Sequence, residues 1–349
     1  MMMQQDARQR MVARFDSADR TGRASTRLGM WAAALLAIVQ LGHLELAPAQ
    51  AQDYPTRPIR IVLPFAAGGG TDLLARLLAQ RFHEAMGQPA TVDNRIGAGG
   101  NIGAEIVARS PPDGHTVMVS TASTAVNVSL YPKLTFDARK DLIAVSQLGW
   151  SAIVLTVHPS VPARSPQDLV ELSKRMKGGL NYGSNGSGTT SHLAGVMFSH
   201  VAGIRLTHVP YKGVAPAMIA LLGGQVEVAF PSTLSAQPAI RSGKLRGLAV
   251  TTKKRAASLP ELPTLDSIWP GIDIDNWFVL FVPAGTPAAI VNRLHAETVK
   301  ALEHPDMKSY MTREGAESVG SSPAEASRFF LREVEKFAKV VKAAQIKPD

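Results

Sequence analysis

The feature that most constrains the fold of this sequence is a repeated order of short apolar strand, glycine-rich turn and amphipathic helix. Residues 59–65 predict a buried strand, Gly68 to Gly70 break it, and apolar periodicity from Leu73 to Met86 predicts a helix. A strand near Val92 and a helix from Ala104 to Arg109 repeat this order. Strands that alternate with helices predict a mixed, mainly parallel sheet covered on both faces.

The same order restarts in the second half of the chain and predicts a second α/β unit. A strand is predicted at Ser151 to Val157, and further strands and helices alternate up to a strand at Leu245 to Thr251. After a strand near Trp277, residues 288–344 have helical periodicity. Because domains usually hold about 100–200 residues, two units suit the length of 349 residues.

Residues 1–51 predict a signal peptide with a long n-region rather than part of this fold. An Arg-bearing polar stretch precedes the apolar run Leu28 to Leu41, which is shorter than the roughly 20 residues that cross a bilayer. The small residues of Ala49-Gln50-Ala51 predict cleavage near Ala51 and export to the periplasm. A membrane anchor that is never cleaved is the alternative.

Composition excludes several classes of site. The sequence has no cysteine, which excludes disulfides, thiolate nucleophiles and cysteine-based metal sites. Its 9 histidines form no metal-ligand motif, so we expect no metal and no cofactor. The net charge of +9 favours anionic ligands in a general way. Because no basic run is interleaved with aromatic residues, we expect no nucleic-acid partner.

The loop after the first strand is the first candidate ligand-binding segment. Glycines at a strand-to-helix turn let a ligand approach the backbone, and the free N–H groups at the helix start attract anions. The loop lacks the Gly-Lys-Ser/Thr ending of a nucleotide-binding P-loop. A tight turn in which Asp72 only caps its helix is the alternative. The candidate residues are Phe65, Ala66, Ala67, Gly68, Gly69, Gly70, Thr71 and Asp72.

A glycine- and hydroxyl-rich loop in the second unit, residues 183–192, repeats this arrangement. Its candidate ligand-binding residues are Ser184, Ser187, Gly188, Thr189, Ser191 and His192. The Gly-x-Ser-x-Gly elbow of serine hydrolases is absent. His192 could act as a general base, but a histidine at a helix start is more often a hydrogen-bond partner. Two such loops facing one cleft would suit a ligand clamped by hinge closure.

Several long motifs, in order along the chain, resemble those of the substrate-binding receptors of tripartite tricarboxylate transporters, also called Bug-type receptors. The resemblance extends from Tyr54 to near the C-terminus. It rests on the segments Tyr54 to Arg60, Leu63 to Asp72, Asp93 to Gly103, Pro112 to His115, Asn181 to Ser184, Ser191 to Leu193, His208 to Gly213, Gly243 to Thr251 and Pro283 to Pro287.

This resemblance implies a two-lobed periplasmic binding protein of type II, a Venus flytrap. Lobe one would contain residues 52–153 and 279–349, and lobe two residues 154–278. The two loops would hold the carboxylate of a small organic ligand, and Thr121, Ser123 and Asn127 would complete the wall of lobe one. Many relatives have an acidic or amide residue after the strand that ends at Phe230, whereas this chain has Pro231, so Ser232 and Thr233 would take over that contact.

The resemblance also implies a function without catalysis. The protein would act as a monomer that delivers its carboxylate to integral-membrane subunits of a tripartite transporter. Two alternatives stay open: a receptor that feeds a sensor kinase, and a periplasmic serine hydrolase acting on carboxylate esters or amides. The hydrolase would use Ser187 or Ser191 as nucleophile and His192 as base, with no catalytic carboxylate in evidence.

Overall fold

The computed structural model of this protein describes residues 54–313, 315–343 and 346. These residues form two mixed sheets flanked by helices, which confirms the predicted two-lobed α/β fold. The predicted signal peptide and its cleavage site lie outside the described residues. Within the described part of the chain, no helix is both long and apolar enough to cross a membrane.

Two sheets account for the strands. In chain order the strands are β1 (Ile59–Leu63), β2 (Ala90–Asn94), β3 (Thr116–Thr121), β4 (Leu142–Ala152), β5 (Val154–Val157), β6 (Leu180–Ser184), β7 (Leu206–Pro210), β8 (Val228–Ala229), β9 (Arg246–Val250), β10 (Asp275–Pro283) and β11 (Ala316–Ser318). The first sheet has the order β11-β4-β10-β3-β1-β2, and the second has the order β7-β6-β8-β5-β9. Each sheet combines parallel and antiparallel pairs.

Helices connect and cover these strands. They are α1 (Gly70–Met86), α2 (Asn101–Ala108), α3 (Ser123–Leu130), α4 (Ala138–Asp141), α5 (Pro166–Arg175), α6 (Thr190–Ala202), α7 (Val214–Leu222), α8 (Thr233–Arg241), α9 (Ala288–Glu303), α10 (Pro305–Arg313) and α11 (Pro323–Ala343). Helices α5 to α8 belong to the second sheet by sequence, and the others to the first. The carboxyl end of a strand leads into the start of both α1 and α6, where parallel α/β folds place ligands.

The chain passes between the lobes beside a single buried threonine. Ala152, the last residue of β4, pairs with Asp275, the first residue of β10. The Thr251 N–H donates to the Ile153 carbonyl at 2.9 Å, and the Ile274 N–H donates to the Thr251 carbonyl at 3.1 Å. Because β10 pairs within the first sheet from Asp275 onward, we place the second boundary before Asp275 rather than before residue 279.

Helices α1 and α11 pack against the first sheet through their apolar faces. Leu74, Leu78 and Phe82 of α1 are fully buried, at the helical spacing of four residues that the sequence predicts. On α11, Phe337 is likewise buried, and Glu333 accepts a hydrogen bond of 3.0 Å from the indole N–H of Trp277 in β10. This bond satisfies the polar atom of a fully buried tryptophan, so α11 is tied to the strand that enters from the second lobe.

Several elements differ from the sequence interpretation. The strand predicted from Ser151 belongs to two strands, because β4 runs from Leu142 to Ala152 in the first sheet and β5 follows in the second. β11 interrupts the tail that periodicity predicted as helical, and it pairs with β4. Helices α3 and α8 were not predicted, since Ser, Thr and a proline at position 238 weaken their helical pattern.

Asp275 at the start of β10 gives a prediction about pH. Burial raises the pKa of Asp275 to about 6, against the opposing charge of Lys336 and with reinforcement from Glu333 and Asp273. A carboxyl whose pKa is higher in the folded chain favours folding when protonated. Its contribution to the free energy of unfolding is therefore complete below about pH 4 and is lost as the pH rises through about 6.

We expect an Asp275→Asn variant to lose this pH dependence. Near neutral pH its free energy of unfolding should exceed that of the wild type by about 1 kcal/mol, a figure reduced because Asp275 is only partly buried. Near pH 4 the two proteins should be equally stable. Urea denaturation at a series of pH values measures both, and parallel curves over the whole range would contradict the assignment.

Candidate functional site

Two adjoining cavities lie between residues of the two lobes. The inner cavity has a volume of about 20 Å³, which accommodates about one water molecule. The outer cavity has a volume of about 390 Å³, within the range of small-ligand pockets. Phe65, Asn185 and Thr189 line both cavities, so the inner one continues into the outer one.

The inner cavity is lined by hydroxyls, amides and apolar groups and by no charged side chain. Its lining residues are Phe65, Thr71, Thr121 and Asn276 from the first lobe, and Asn185, Thr189, Thr190, Val214, Phe230 and Ser232 from the second. Thr190 Oγ1 donates to Asn276 Oδ1 across the cavity at 3.1 Å. This set can donate several hydrogen bonds without placing a formal charge beside a ligand.

Two helix starts meet at this cavity from opposite lobes. Helix α1 begins at Gly70, and its N-cap Gly69 has no side chain to bond the first turn. Helix α6 begins at Thr190, and its N-cap Thr189 accepts from the N–H of His192 at 3.4 Å. Thr71 and Thr190, one in each first turn, both line the inner cavity. The positive ends of two helix dipoles therefore face one small polar space.

Asp72 lies beneath the first loop and does not line either cavity. Its carboxylate accepts from the Gly68 N–H at 3.0 Å, from Asn94 Nδ2 at 3.0 Å and from Arg76 Nε at 2.9 Å. Burial alone would raise the pKa of Asp72, but the hydrogen bonds from Arg76, Gly68 and Asn94 outweigh it and lower that pKa. The ionised group therefore fixes the loop, and the Gly68 N–H is already used.

The remaining residues of the first loop fall into three groups: some line a cavity, some are exposed, and some approach the second lobe. Phe65 and Thr71 line cavities, whereas Ala67 and Gly68 are exposed and line neither. Ala66, Gly69 and Gly70 instead approach the second lobe. A Cβ built on Gly69 would lie 3.2 Å from Val214, one built on Gly70 would lie 2.6 Å from Leu234, and one built on Gly213 would lie 2.9 Å from Ala66.

Of the three residues predicted to complete the first-lobe wall, Thr121 alone lines a cavity. Ser123 is buried behind it, with its Oγ 3.1 Å from Thr121 Oγ1. Asn127 Nδ2 donates to the Gly99 carbonyl at 3.0 Å. Ser123 and Asn127 therefore support the wall rather than form it.

The lobes approach each other closely at Gly99 and Gly188. Gly99 has φ of +62°, and a Cβ there would lie 2.4 Å from the Ser187 carbonyl oxygen. Gly188 has φ of +77°, and a Cβ there would lie 2.2 Å from Asn127 Oδ1. Both positions require glycine, for the left-handed backbone and for the space that the opposite lobe occupies.

The second loop contributes fewer cavity residues than predicted. Ser187 and Thr189 line the outer cavity, and Thr189 also lines the inner one. Ser184 Oγ lies 2.6 Å from His208 Nε2 and accepts from the Gly186 N–H at 3.1 Å. Ser191 Oγ accepts from the Asn185 N–H at 2.9 Å. Ser184 and Ser191 therefore hold the shape of the loop from inside.

His192 is a buried hydrogen-bond acceptor. Its Nδ1 accepts from the Gly188 N–H at 3.2 Å, and its ring stacks on His208 with centroids 4.1 Å apart. Burial, and secondly the neighbouring His208, lower the pKa of His192 to about 3. It therefore remains neutral at physiological pH, with Nδ1 unprotonated toward Gly188. None of the described hydrogen bonds joins its ring to Ser187 or Ser191, as the hydrolase alternative would require.

Of the three residues Pro231, Ser232 and Thr233, which follow Phe230, only Ser232 lines one of the two cavities. The Pro231 carbonyl accepts from the Val154 N–H at 2.8 Å, so this proline helps to join the strands near the first crossing. Ser232 lines the inner cavity, as expected. Thr233 lines neither cavity and donates through Oγ1 to the Gly315 carbonyl at 2.6 Å.

Sequence reasoning missed a large part of the cavity lining. The missed residues include Asn276 in the inner cavity and, in the outer one, Pro64, Ile96 to Gly100, Tyr131, Tyr211, Lys212 and Gly213. The glycine-rich run 97–100 was visible in the sequence, as was the motif that contains Lys212. Among the described residues, no group of three or more His, Asp or Glu side chains is arranged to hold a metal.

We expect Asp72→Asn to weaken the fold far more than it weakens ligand binding. Loss of the charge on a buried acceptor of three hydrogen bonds should lower the free energy of unfolding by about 1–3 kcal/mol near neutral pH. Because the pKa of Asp72 is depressed in the folded chain, this loss should diminish as the pH falls below about 4.

Glu171→Gln is the matched control, since Glu171 pairs with Arg175 at an exposed position, where ion pairs contribute about 0–1 kcal/mol. Urea denaturation measures both variants. An Asp72→Asn variant as stable as Glu171→Gln, but defective in ligand binding, would instead place Asp72 in direct contact with the ligand.

Comparison with known proteins agrees with this geometry. The family model described as the tripartite tricarboxylate transporter family receptor matches residues 74–346. Protein BugT of Bordetella pertussis is 34% identical over 299 residues, which cover 85% of this chain and 92% of BugT.

Solved structures resemble the chain over most of its length. Periplasmic binding protein BugD has a TM-score of 0.81 at 32% identity, covering 85% of this chain and 100% of BugD. An R. palustris protein solved with adipate has a TM-score of 0.81 at 36% identity, covering 85% and 100%. MatC from Rhodopseudomonas palustris, solved with bound malate, has a TM-score of 0.79 at 31% identity, covering 82% and 100%.

These matches extend across both lobes; the family model, which begins at residue 74, includes the start of α6 and most of α1, but not the start of α1. They are to binding receptors and not to enzymes, in agreement with the absence of a bond between His192 and a nearby serine among the described residues. The chain belongs to the tripartite tricarboxylate transporter receptor family, the Bug-type periplasmic solute-binding receptors.

Proposed function

We propose that this receptor captures a small organic carboxylate, aliphatic or aromatic, between its lobes. One observation carries the proposal: the starts of α1 and α6 open onto the same uncharged inner cavity from opposite lobes. Helix N-termini and hydroxyl donors suit an anion whose oxygens accept bonds from both sides. The relatives solved with adipate and with bound malate are consistent with a carboxylate ligand.

The ligand's carboxylate would occupy the inner cavity and the rest of the molecule the outer one. Because the inner cavity accommodates about one water molecule, the lobes must move apart for the ligand to enter. Thr71, Thr121, Thr190 and Ser232 then offer hydroxyls to the carboxylate. An ammonium group would find no free acceptor charge there, because Asp72 is turned into its own loop.

In this proposal the receptor acts in the periplasm as a monomer, after cleavage of its signal peptide near Ala51. It would present the closed, loaded form to the integral-membrane subunits of a tripartite tricarboxylate transporter. The family match supports a transporter rather than a sensor kinase as the partner. The uncharged inner cavity gives no support to hydrolysis of esters or amides.

A thermal-shift screen of the purified protein tests the ligand class. The panel contains mono-, di- and tricarboxylates, aromatic acids, amino acids and the uncharged amide of each acid that binds. A ligand at about 100 times its dissociation constant should add about 2.7 kcal/mol of stability. We expect carboxylates to raise the melting temperature and their amides not to do so. Equal shifts with acid and amide, or none with any carboxylate, would contradict the proposal.

Gly99→Leu tests closure of the lobes. A leucine here would fill the space beside the Ser187 carbonyl, and overpacking of this kind costs about 1–3 kcal/mol. We therefore expect the affinity for a carboxylate that passes the thermal-shift screen to fall by about tenfold or more, as measured by calorimetry.

Gly203→Leu is the matched control. Gly203 has the same φ of +62°, but nothing lies within 4 Å of a Cβ built there. Both variants should lose similar stability from the left-handed backbone, and Gly99→Leu alone should lose affinity. Equal affinity in both variants would show that the lobes need not meet at Gly99 when ligand is bound.

A further inference from the structure

We propose that a further cavity between the lobes, outside the cleft, binds a small uncharged molecule and that this molecule strengthens carboxylate binding. The cavity has a volume of about 330 Å³, within the range of small-ligand pockets. We call it the crossing cavity, because its lining includes Ala152 at the first crossing. None of its lining residues lines either cavity of the cleft. The inference uses the proposed function only for the effect on carboxylate binding.

The walls of the crossing cavity come from both lobes. The first lobe supplies residues of β4, β11 and the end of α10, and the second supplies the end of α8 and residues 256–258. The lobes also touch beside it, since Thr233 Oγ1 donates to the Gly315 carbonyl at 2.6 Å. A Cβ built on Gly315 would overlap Gln237 Oε1 and Ser258 Oγ of the second lobe. The shape of this cavity therefore depends on the arrangement in which the lobes close on the inner cavity.

The lining favours an uncharged ligand with an apolar body. Two charged residues line the cavity, Arg241 from the second lobe and Glu317 from the first, and both are exposed. Because their charges are opposite, the lining has no net charge that would select an anion or a cation. The apolar lining residues are Trp150, Ala152, Ala256, Ala257 and Ala316.

Ser258 gives the cavity a hydrogen-bonding group that no protein atom uses. Its Oγ is buried and has no hydrogen-bond partner among the described residues. Because Ser258 lines the cavity, rotation about its Cα–Cβ bond can offer this hydroxyl to a ligand. Thr312 contributes a second hydroxyl side chain to the lining. A ring compound with one O–H or N–H group suits this combination.

A molecule enclosed by walls from both lobes binds the closed arrangement more tightly than an open one. It therefore shifts the population of the receptor toward the closed arrangement. In the proposed function the carboxylate also requires closed lobes. The two ligands must then strengthen each other's binding by the same factor, since coupling between two sites is reciprocal.

Four uncharged probes test this site: indole, 4-methylphenol, benzyl alcohol and cyclohexanol. Each is titrated by calorimetry into the purified protein, alone and saturated with a carboxylate that passes the thermal-shift screen. We expect at least one probe to bind, and to bind about fivefold or more tightly when the carboxylate is present, the usual lower range of coupling between sites. Competition between probe and carboxylate, or a probe affinity that the carboxylate leaves unchanged, would overturn the coupling.

Two variants that fill the cavity locate the probe. Ala257→Phe enlarges an exposed lining residue and Ala316→Leu a buried one, and both should lose probe binding. Ala289→Phe is the control, because Ala289 is exposed on α9 and lines none of the three cavities, so it should bind the probe like the wild type.

The absence of binding by all four probes, or binding retained in both filled variants, would overturn the crossing-cavity site. The proposed function survives these outcomes, because carboxylate binding is measured separately without a probe. If no carboxylate binds, the proposed function fails, while probe binding and its loss in the filled variants still decide whether the site exists.

Discussion

The arrangement of the site depends on the antiparallel pairing of β4 with β10. These two strands end and begin side by side at Ala152 and Asp275, where the chain passes between the sheets, and Thr251 hydrogen-bonds to both crossings through its backbone. Both crossings are thus held side by side, and the starts of α1 and α6 face each other from opposite lobes. Asn276, one residue past the second crossing, lines the inner cavity.

Charged groups are kept out of the inner cavity, and the nearest one in the first loop lies behind it. Asp72 is ionised but turned inward to the Gly68 N–H, Asn94 and Arg76, and His192 is neutral and turned toward the Gly188 N–H. These two residues shape the loops, so the ligand would meet N–H groups and hydroxyls. Dipoles held by a rigid backbone can stabilise an anion without the desolvation cost of a buried lysine or arginine.

The sequence predicted the two-lobed α/β fold and the strand-turn-helix units because that information is local. Gly68 to Gly70 and the hydroxyl-rich run near Thr189 identify both helix starts without knowledge of the fold. The division of the 142–157 region between two sheets depends on pairing with distant β10 and β11, and no local pattern encodes it. For the same reason Ser123, Asn127 and Ser184 were grouped with ligand contacts although they support the wall, while Asn276 was missed. From the sequence alone, a polar residue near a ligand loop could either contact the ligand or support the cavity wall. The position of the opposite lobe decides between these two roles.

A crystal structure of the protein grown with a carboxylate that passes the thermal-shift screen would test the central claim most directly. The account predicts one carboxylate between the starts of α1 and α6, within hydrogen-bond distance of Thr71 and Thr190, with the lobes closed around it and the apolar part of the ligand in the outer cavity. A ligand bound with its carboxylate away from both helix starts, or bound outside the cleft on one lobe, would contradict the account.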